Sequence, residues 1–213
     1  MVEIPIILRL KSARHKELAR AQDIVVEELY KVFEEAVLHG GTAIWRCYKG
    51  NRFSEDVDVY ISKKMEKLNN LFDNFQKRGF TIEKKKISEN SLYSNLRING
   101  VFVKFEALFK ESKSVLKEYE KIDGNLATVH TLTPEEIIKE KVNTYLKRKK
   151  IRDLYDIFFL IRHVKDKKEV EKELKELIKK FQKPIDEKEL KSLIFEGLTP
   201  NTEKMLSYIE RGI

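Results

Sequence analysis

The strongest constraint on the fold is a change of hydrophobic period near Thr133. Before it, several segments alternate apolar and polar residues, as strands do when one face is buried. After it, the apolar positions follow helical spacing throughout. The clearest alternating segment is Asp56–Ile61, with Val57, Val59 and Ile61 on one face and Asp56, Asp58 and Tyr60 on the other. Residues 81–88, 92–98 and 101–109 read as further strands, the last two joined at Asn99-Gly100, a tight hairpin signal. Helices are expected over about 13–35, where Val25, Leu29, Val32, Phe33 and Ala36 share a face. A second is expected over 65–77, with Leu68, Leu71, Phe72 and Phe75 inward. In the C-terminal part, Thr133-Pro134-Glu135-Glu136 combines an N-cap threonine, a proline at the first helical position and an acid three residues past the cap. Later helices are expected over 151–163, 167–182, 186–195 and 201–211. The pattern predicts an α+β chain: a small mixed β-sheet core with flanking helices in residues 1–132, then a helical bundle in 133–213.

The chain's 213 residues are enough to bury a core. With 41% apolar residues and 8 Gly and 4 Pro, disordered and collagen-like chains are excluded. A single cysteine, Cys47, excludes an internal disulfide framework and fits a reducing compartment. No apolar run approaches the roughly 18 residues of a membrane span. The first residues lack the basic start and small-residue cleavage site of a secretory leader, so a cytoplasmic protein is expected. Abundant Lys (32) and Glu (26) against 3 Gln hint at a hot habitat. The formal charge is +8, from 43 basic and 35 acidic side chains. Most of the excess lies in Lys139–Arg152, where seven basic residues face Glu140 alone. That points to an anionic partner on one local surface.

Chemistry concentrates in residues 38–61, LHGGTAIWRCYKGNRFSEDVDVYI. Gly40 and Gly41 end a short strand where a helix begins, so backbone can approach a phosphate and the helix's first N–H groups can hold an anion. Downstream, Asp56 and Asp58 project from the same strand face and can share a hard cation such as Mg²⁺. Phosphoryl and nucleotidyl transfer use this pairing. A Gly-Gly turn or a D-x-D pair alone is commonplace; the two together favour a metal site over a solvated strand face.

Gly40-Gly41-Thr42-Ala43 and Arg52-Phe53-Ser54-Glu55-Asp56-Val57-Asp58 resemble the signature of the AbiEii/AbiGii toxin nucleotidyltransferases, within the polymerase-beta-like nucleotidyltransferase superfamily. A downstream block, EEIIKEKVNTYLKRKKIRDLYDIF at 135–158, is also similar to that family. The resemblance implies Mg²⁺-dependent (or Mn²⁺-dependent) transfer of a nucleoside monophosphate from a nucleoside triphosphate to an acceptor hydroxyl. It further implies tRNA as acceptor and a toxin–antitoxin context. Asp56 and Asp58 would be metal ligands. Gly40, Gly41, Thr42, Arg52, Ser54, Lys141 and Arg148 would contact the nucleotide. Asp56, Asp58, Lys141 and Asp153 would carry the reaction.

Several of these assignments have two readings. Glu106, on the same strand face as Phe102 and Lys104, is either a third metal ligand or an ordinary exposed strand glutamate. Lys141 sits on the apolar stripe of its helix, between Ile137, Ile138 and Tyr145, and either snorkels outward or points into a site that supplies an anion. Asp153 and Asp156, in the first turns of a helix apolar nearly all round, form either a structural ion-pair cluster or a functional one. In the functional reading, Asp153 orients Lys141 or Arg148 or acts as a general base. Transfer to a protein or small molecule, and a non-catalytic nucleotide- or RNA-binding protein of the same fold, stand as alternatives.

Overall fold

The computed structural model describes residues 4–212. Its contacts divide the chain into two compact units: the chain up to Lys49 with Phe53–Thr131, and Gly50–Arg52 with the chain from Leu132 onward. Gly50–Arg52 therefore belongs with the helical part, which a single boundary near residue 132 does not convey.

The first unit holds α1 (Ile6–Arg9), α2 (Ala13–Val32), β1 (Val37–His39), α3 (Gly40–Cys47), β2 (Asp56–Ile61), α4 (Met65–Lys77), β3 (Thr81–Ile87), β4 (Ser91–Ile98), β5 (Val101–Phe109), β6 (Val115–Glu120) and β7 (Leu126–Thr131). The strands form one mixed sheet in the order β3-β4-β5-β2-β1-β7-β6. β2 runs parallel to β5 and β1 parallel to β7, while the other neighbours are antiparallel.

Along β5, Val101, Val103, Phe105 and Ala107 are buried, and Phe102, Lys104, Glu106 and Leu108 between them are exposed. That two-residue period splits the sheet into a core face and an open face. The core face packs on helices, as where Phe75 of α4 meets Phe105 edge-on at 5.8 Å. Asn99 (φ 47°) and Gly100 (φ 76°) both take left-handed conformations at the β4–β5 turn. This is the two-residue hairpin geometry that Asn-Gly favours.

Arg46 on α3 is fully buried and ties this unit together. It donates to the backbone carbonyls of Glu120 and Ala19, both at 3.0 Å. It also pairs with Asp23 of α2 at 3.1 Å and lies over the Trp45 ring, 4.0 Å from its centroid. Asp23 in turn accepts from Tyr119 Oη (3.0 Å) and the Ile122 amide (2.8 Å). Burial pushes the Asp23 carboxyl up, and Arg46 is the first of the groups that oppose the shift.

The second unit carries α5 (Pro134–Arg148), α6 (Ile151–Leu160), α7 (Lys168–Lys179), α8 (Leu190–Leu193) and α9 (Thr202–Arg211). Thr133 caps α5 by accepting from the Glu136 amide at 3.3 Å, with Pro134 in the first turn. Lys149 ends it in a left-handed conformation, donating to Tyr145 O at 2.7 Å. Asp186 accepts from the Ile151 amide at 2.7 Å and so caps α6.

Three expectations need correction, and two strands lie outside those expected. The helix expected to reach residue 35 stops at Val32, because Phe33 turns the backbone out of helical geometry. The helix expected over 186–195 is a 3-10 turn, Glu187–Glu189, followed by the single turn of α8; beyond it Ile194 forms a β-bridge with Arg52. The helix expected over 151–163 finishes as a 3-10 turn, Ile161–His163. Strands β6 and β7 were not anticipated, since exposed Leu116, Lys117 and Glu118 give β6 no clean alternation. Among the described residues, no helix is long and apolar enough to cross a membrane.

Burial lifts the Cys47 thiol to about 12. The thiolate is therefore scarce at pH 8, only partly offset by its higher basicity, and the native protein should react with a thiol-specific disulfide reagent about thirtyfold slower than the urea-unfolded chain, followed by absorbance.

Candidate active site

β1 ends at His39, and the φ of +69° at Gly40 just after it lies in the left-handed region. The preceding His39 pairs with Asp58 of β2. A Cβ on Gly40 would strike Asp58 Oδ2 and stand 3.1 Å from its Cγ. Both the conformation and the lack of space demand glycine here. Gly40 opens α3, whose first-turn N–H groups have no intrahelical partners and favour an anion. Thr42 is buried, and its hydroxyl donates to the Asp56 backbone carbonyl, so this side chain fastens α3 to β2. Ser54 is buried just before β2, its carbonyl accepting from Gln22 Nε2 at 2.8 Å. Both residues position the strand that carries the carboxylates.

Parallel pairing of β2 with β5 sets Asp58 directly beside Glu106, and Asp56 beside Lys104. All four side chains share the open face of the sheet. Glu106 is exposed as a residue, but its carboxyl is partly shielded from water; that desolvation, and then the negative charges of Asp58 and Asp56, push it above the ordinary range. Of the two readings of Glu106, this register places it with the aspartates. Asp56 Oδ1 is enclosed yet makes no hydrogen bond; Lys104 Nζ lies 3.5 Å away. Among the described residues no three such side chains converge at metal-holding distance. Mutual repulsion of the carboxylates opposes convergence. A hard divalent cation fits this donor set, because an enclosed carboxylate oxygen without a hydrogen bond is costly unless a cation compensates it. Lys104 was not singled out from the sequence, because only the β2–β5 register brings it to Asp56.

The second unit builds a separate charge network. Asp156 accepts from Arg52 Nε and Nη2 at 2.7 and 2.8 Å, and Lys141 Nζ lies 2.6 Å from its other side. Asp153 accepts from Arg148 Nε and Nη2 at 2.7 and 2.8 Å, with Lys141 Nζ at 3.5 Å. Both aspartates are fully buried. Burial pushes the Asp156 carboxyl up, but Arg52 and Lys141 more than reverse that and hold it below the usual range. Arg52, Lys141 and Arg148 thus surround the two aspartates.

Lys141 does not snorkel; it bridges the two aspartates. Asp153 has both oxygens engaged, which suits orienting Lys141 and Arg148 better than accepting a proton. Arg52 is buried against Asp156, which makes it an anchor of the Gly50–Arg52 segment. In the basic stretch, Lys141, Arg148 and Lys150 (3.4 Å from Asp186) are all in ion pairs. Lys139–Arg152 is therefore less positive as a surface than the sequence suggests.

The family described as the nucleotidyl transferase AbiEii toxin of type IV toxin–antitoxin systems matches residues 27–210. A comparison with curated proteins returns no match. Among solved structures, the fold is similar to MenT4, a nucleotidyltransferase toxin of Mycobacterium tuberculosis H37Rv. There the TM-score is 0.66 at 18% identity, covering 99% of this chain and 88% of that one. It is also similar to JHP933 from Helicobacter pylori, with a TM-score of 0.64 at 21% identity, covering 94% and 90%.

Two substitutions probe these clusters. Arg52→Ala leaves the Asp156 charge buried with Lys141 alone and should cost about 3–5 kcal/mol in urea unfolding. Because the Asp156 pKa is depressed, its contribution is present above the unfolded carboxylate pKa. It should fade as pH falls through the lower folded value, and wild type should lose more stability on acidification than the variant. Gly40→Ala should cost about 1–3 kcal/mol from backbone strain and displace Asp58, read by calorimetry and by metal-dependent nucleotide binding.

Proposed function

The chain belongs to the AbiEii nucleotidyltransferase toxin family, and from that premise we propose that it transfers a nucleoside monophosphate from a nucleoside triphosphate to a hydroxyl of RNA, with tRNA as the acceptor. The observation that carries this reading is the open-face row in which Asp58 lies beside Glu106, next to the unsatisfied Asp56 oxygen and against Gly40. Asp56 and Asp58, with Glu106 as third ligand, would hold Mg²⁺ or Mn²⁺. When bound, the metal would lower the pKa of the attacking hydroxyl and neutralise charge on the triphosphate.

The chain's own groups do the rest. Gly40 and Gly41 present backbone N–H groups at the start of α3 to phosphate oxygens. Thr42 and Ser54 fix the strand that bears the carboxylates. Lys141, oriented by Asp153 and Asp156, and Arg148 are assigned to the charge that develops on the departing pyrophosphate. In this role Arg52 acts indirectly, by holding Asp156. A cytoplasmic setting and an antitoxin that restrains the activity complete the reading.

The test is to incubate the protein with Mg²⁺, each labelled nucleoside triphosphate in turn, and total RNA or cell extract. Label should enter a tRNA-sized band. Chelation should abolish the signal, Mg²⁺ should restore it, and Asp58→Ala should lower the rate by about a thousandfold. Label in protein or small molecules would move the acceptor elsewhere. Absence of both transfer and metal-dependent nucleotide binding would leave a binding protein of the same fold.

A further inference from the structure

The open face continues beyond the carboxylates onto strands that the proposed chemistry does not use. Strand register extends two rows across it. One runs His39, Asp58, Glu106, Tyr93 and Lys86; the other runs Asp56, Lys104, Asn95 and Lys84. Each row passes from an aspartate on β2, through Glu106 or Lys104 on β5, to a lysine on edge strand β3, about 14 Å from β2 at ordinary strand spacing. Phe102, opposite Arg97 in the β4–β5 pair, lies on the same face and is 46% exposed. Lys84 Nζ lies 5.2 Å from the Tyr93 ring centroid. Asn95 Oδ1 is enclosed without a hydrogen-bond partner.

Lysines on an edge strand have a simpler explanation, since they deter edge-to-edge pairing. That explanation accounts for neither the exposed phenylalanine nor the unsatisfied amide. The alternation of the strand sets Lys84 and Lys86 on the open face and Lys85 on the other side, 4.0 Å from the Phe72 ring centroid. Aromatic rings interleaved with cations and an amide match the chemistry of single-stranded nucleic acid. Its bases stack on aromatic faces and its phosphates attract ammonium groups.

We propose that the β3–β4–β5 face receives the single-stranded end of the RNA acceptor, with bases on Tyr93 and Phe102 and backbone on Lys84 and Lys86. The assignment rests on the transferase reading, which gives the strand end a reason to reach Asp58 and Glu106. Duplex RNA presents no unstacked bases and is excluded from this face.

The experiment uses the full chain with Mg²⁺ and a fluorescent single-stranded RNA of about ten nucleotides, read by anisotropy over a salt series. The same RNA closed into a duplex serves for comparison. The single strand should bind at least tenfold tighter than the duplex. Lys84→Glu with Lys86→Glu should weaken binding tenfold or more and flatten the log K against log salt slope by about 1.4. Tyr93→Ala and Phe102→Ala should each weaken it about tenfold with the slope unchanged, and Tyr93→Phe should restore it. Circular dichroism verifies that each variant folds. Wild-type affinity and slope in the lysine and aromatic variants would overturn the proposal, as would equal binding of single strand and duplex. Metal-dependent nucleotide binding is measured in parallel. If it persists while the RNA results fail, this surface assignment alone falls. If it is absent while the RNA results hold, the transferase reading falls and the RNA surface stands.

Discussion

The candidate site depends on the close approach of Gly40 to the Asp58 carboxylate, where no side-chain carbon can intervene. That approach lets α3 begin directly against β2, and Thr42 then secures the helix to the strand. The position of the carboxylates is nonetheless chosen from the other face of the sheet. Val57 and Val59 must join Val103, Phe105 and Ala107 in the core, and a slip of one residue would exchange the two faces. Core packing thereby fixes the register, and the register seats Glu106 beside Asp58. A polar site of considerable electrostatic cost is positioned by apolar residues that never touch it.

Much of this layout was legible in the residues. Alternation in Asp56–Ile61 identified β2 and its polar face, Asn99-Gly100 marked a hairpin, and Thr133-Pro134 marked the start of α5. These signals are local, and local chemistry enforces them. What escaped depends on distant neighbours. Strand β6 lies at the sheet edge with charged residues between its apolar ones, so its pairing with β7 leaves little periodic trace. The burial of Arg46 and the proximity of Lys104 to Asp56 follow from packing and register. The same holds for the basic stretch. Its residues were countable, but their engagement with Asp153, Asp156 and Asp186 was not.

The two units handle buried charge in opposite ways. In the helical unit, guanidinium and ammonium groups saturate the aspartates, at a large desolvation cost that close geometry offsets. Such an arrangement favours one fixed geometry. On the sheet, three carboxylates lie together: Glu106 is raised by desolvation and by Asp58 and Asp56, and Lys104 pairs with Asp56 at 3.5 Å. Such a concentration of negative charge gains from binding a cation.

Gly50–Arg52 makes the helical unit discontinuous in sequence. A stretch of three residues, lying between the glycine turn and the carboxylate strand, completes a charge network whose other members come a hundred residues later. Such a unit cannot be inherited as a contiguous cassette. Recombination that exchanged everything beyond Thr131 would deliver Asp156 without its own arginine, so an incoming helical half must meet an arginine already in place. Lineages that shuffle their C-terminal halves should therefore be confined to parents sharing that short loop, a restriction on descent arising from one ion pair.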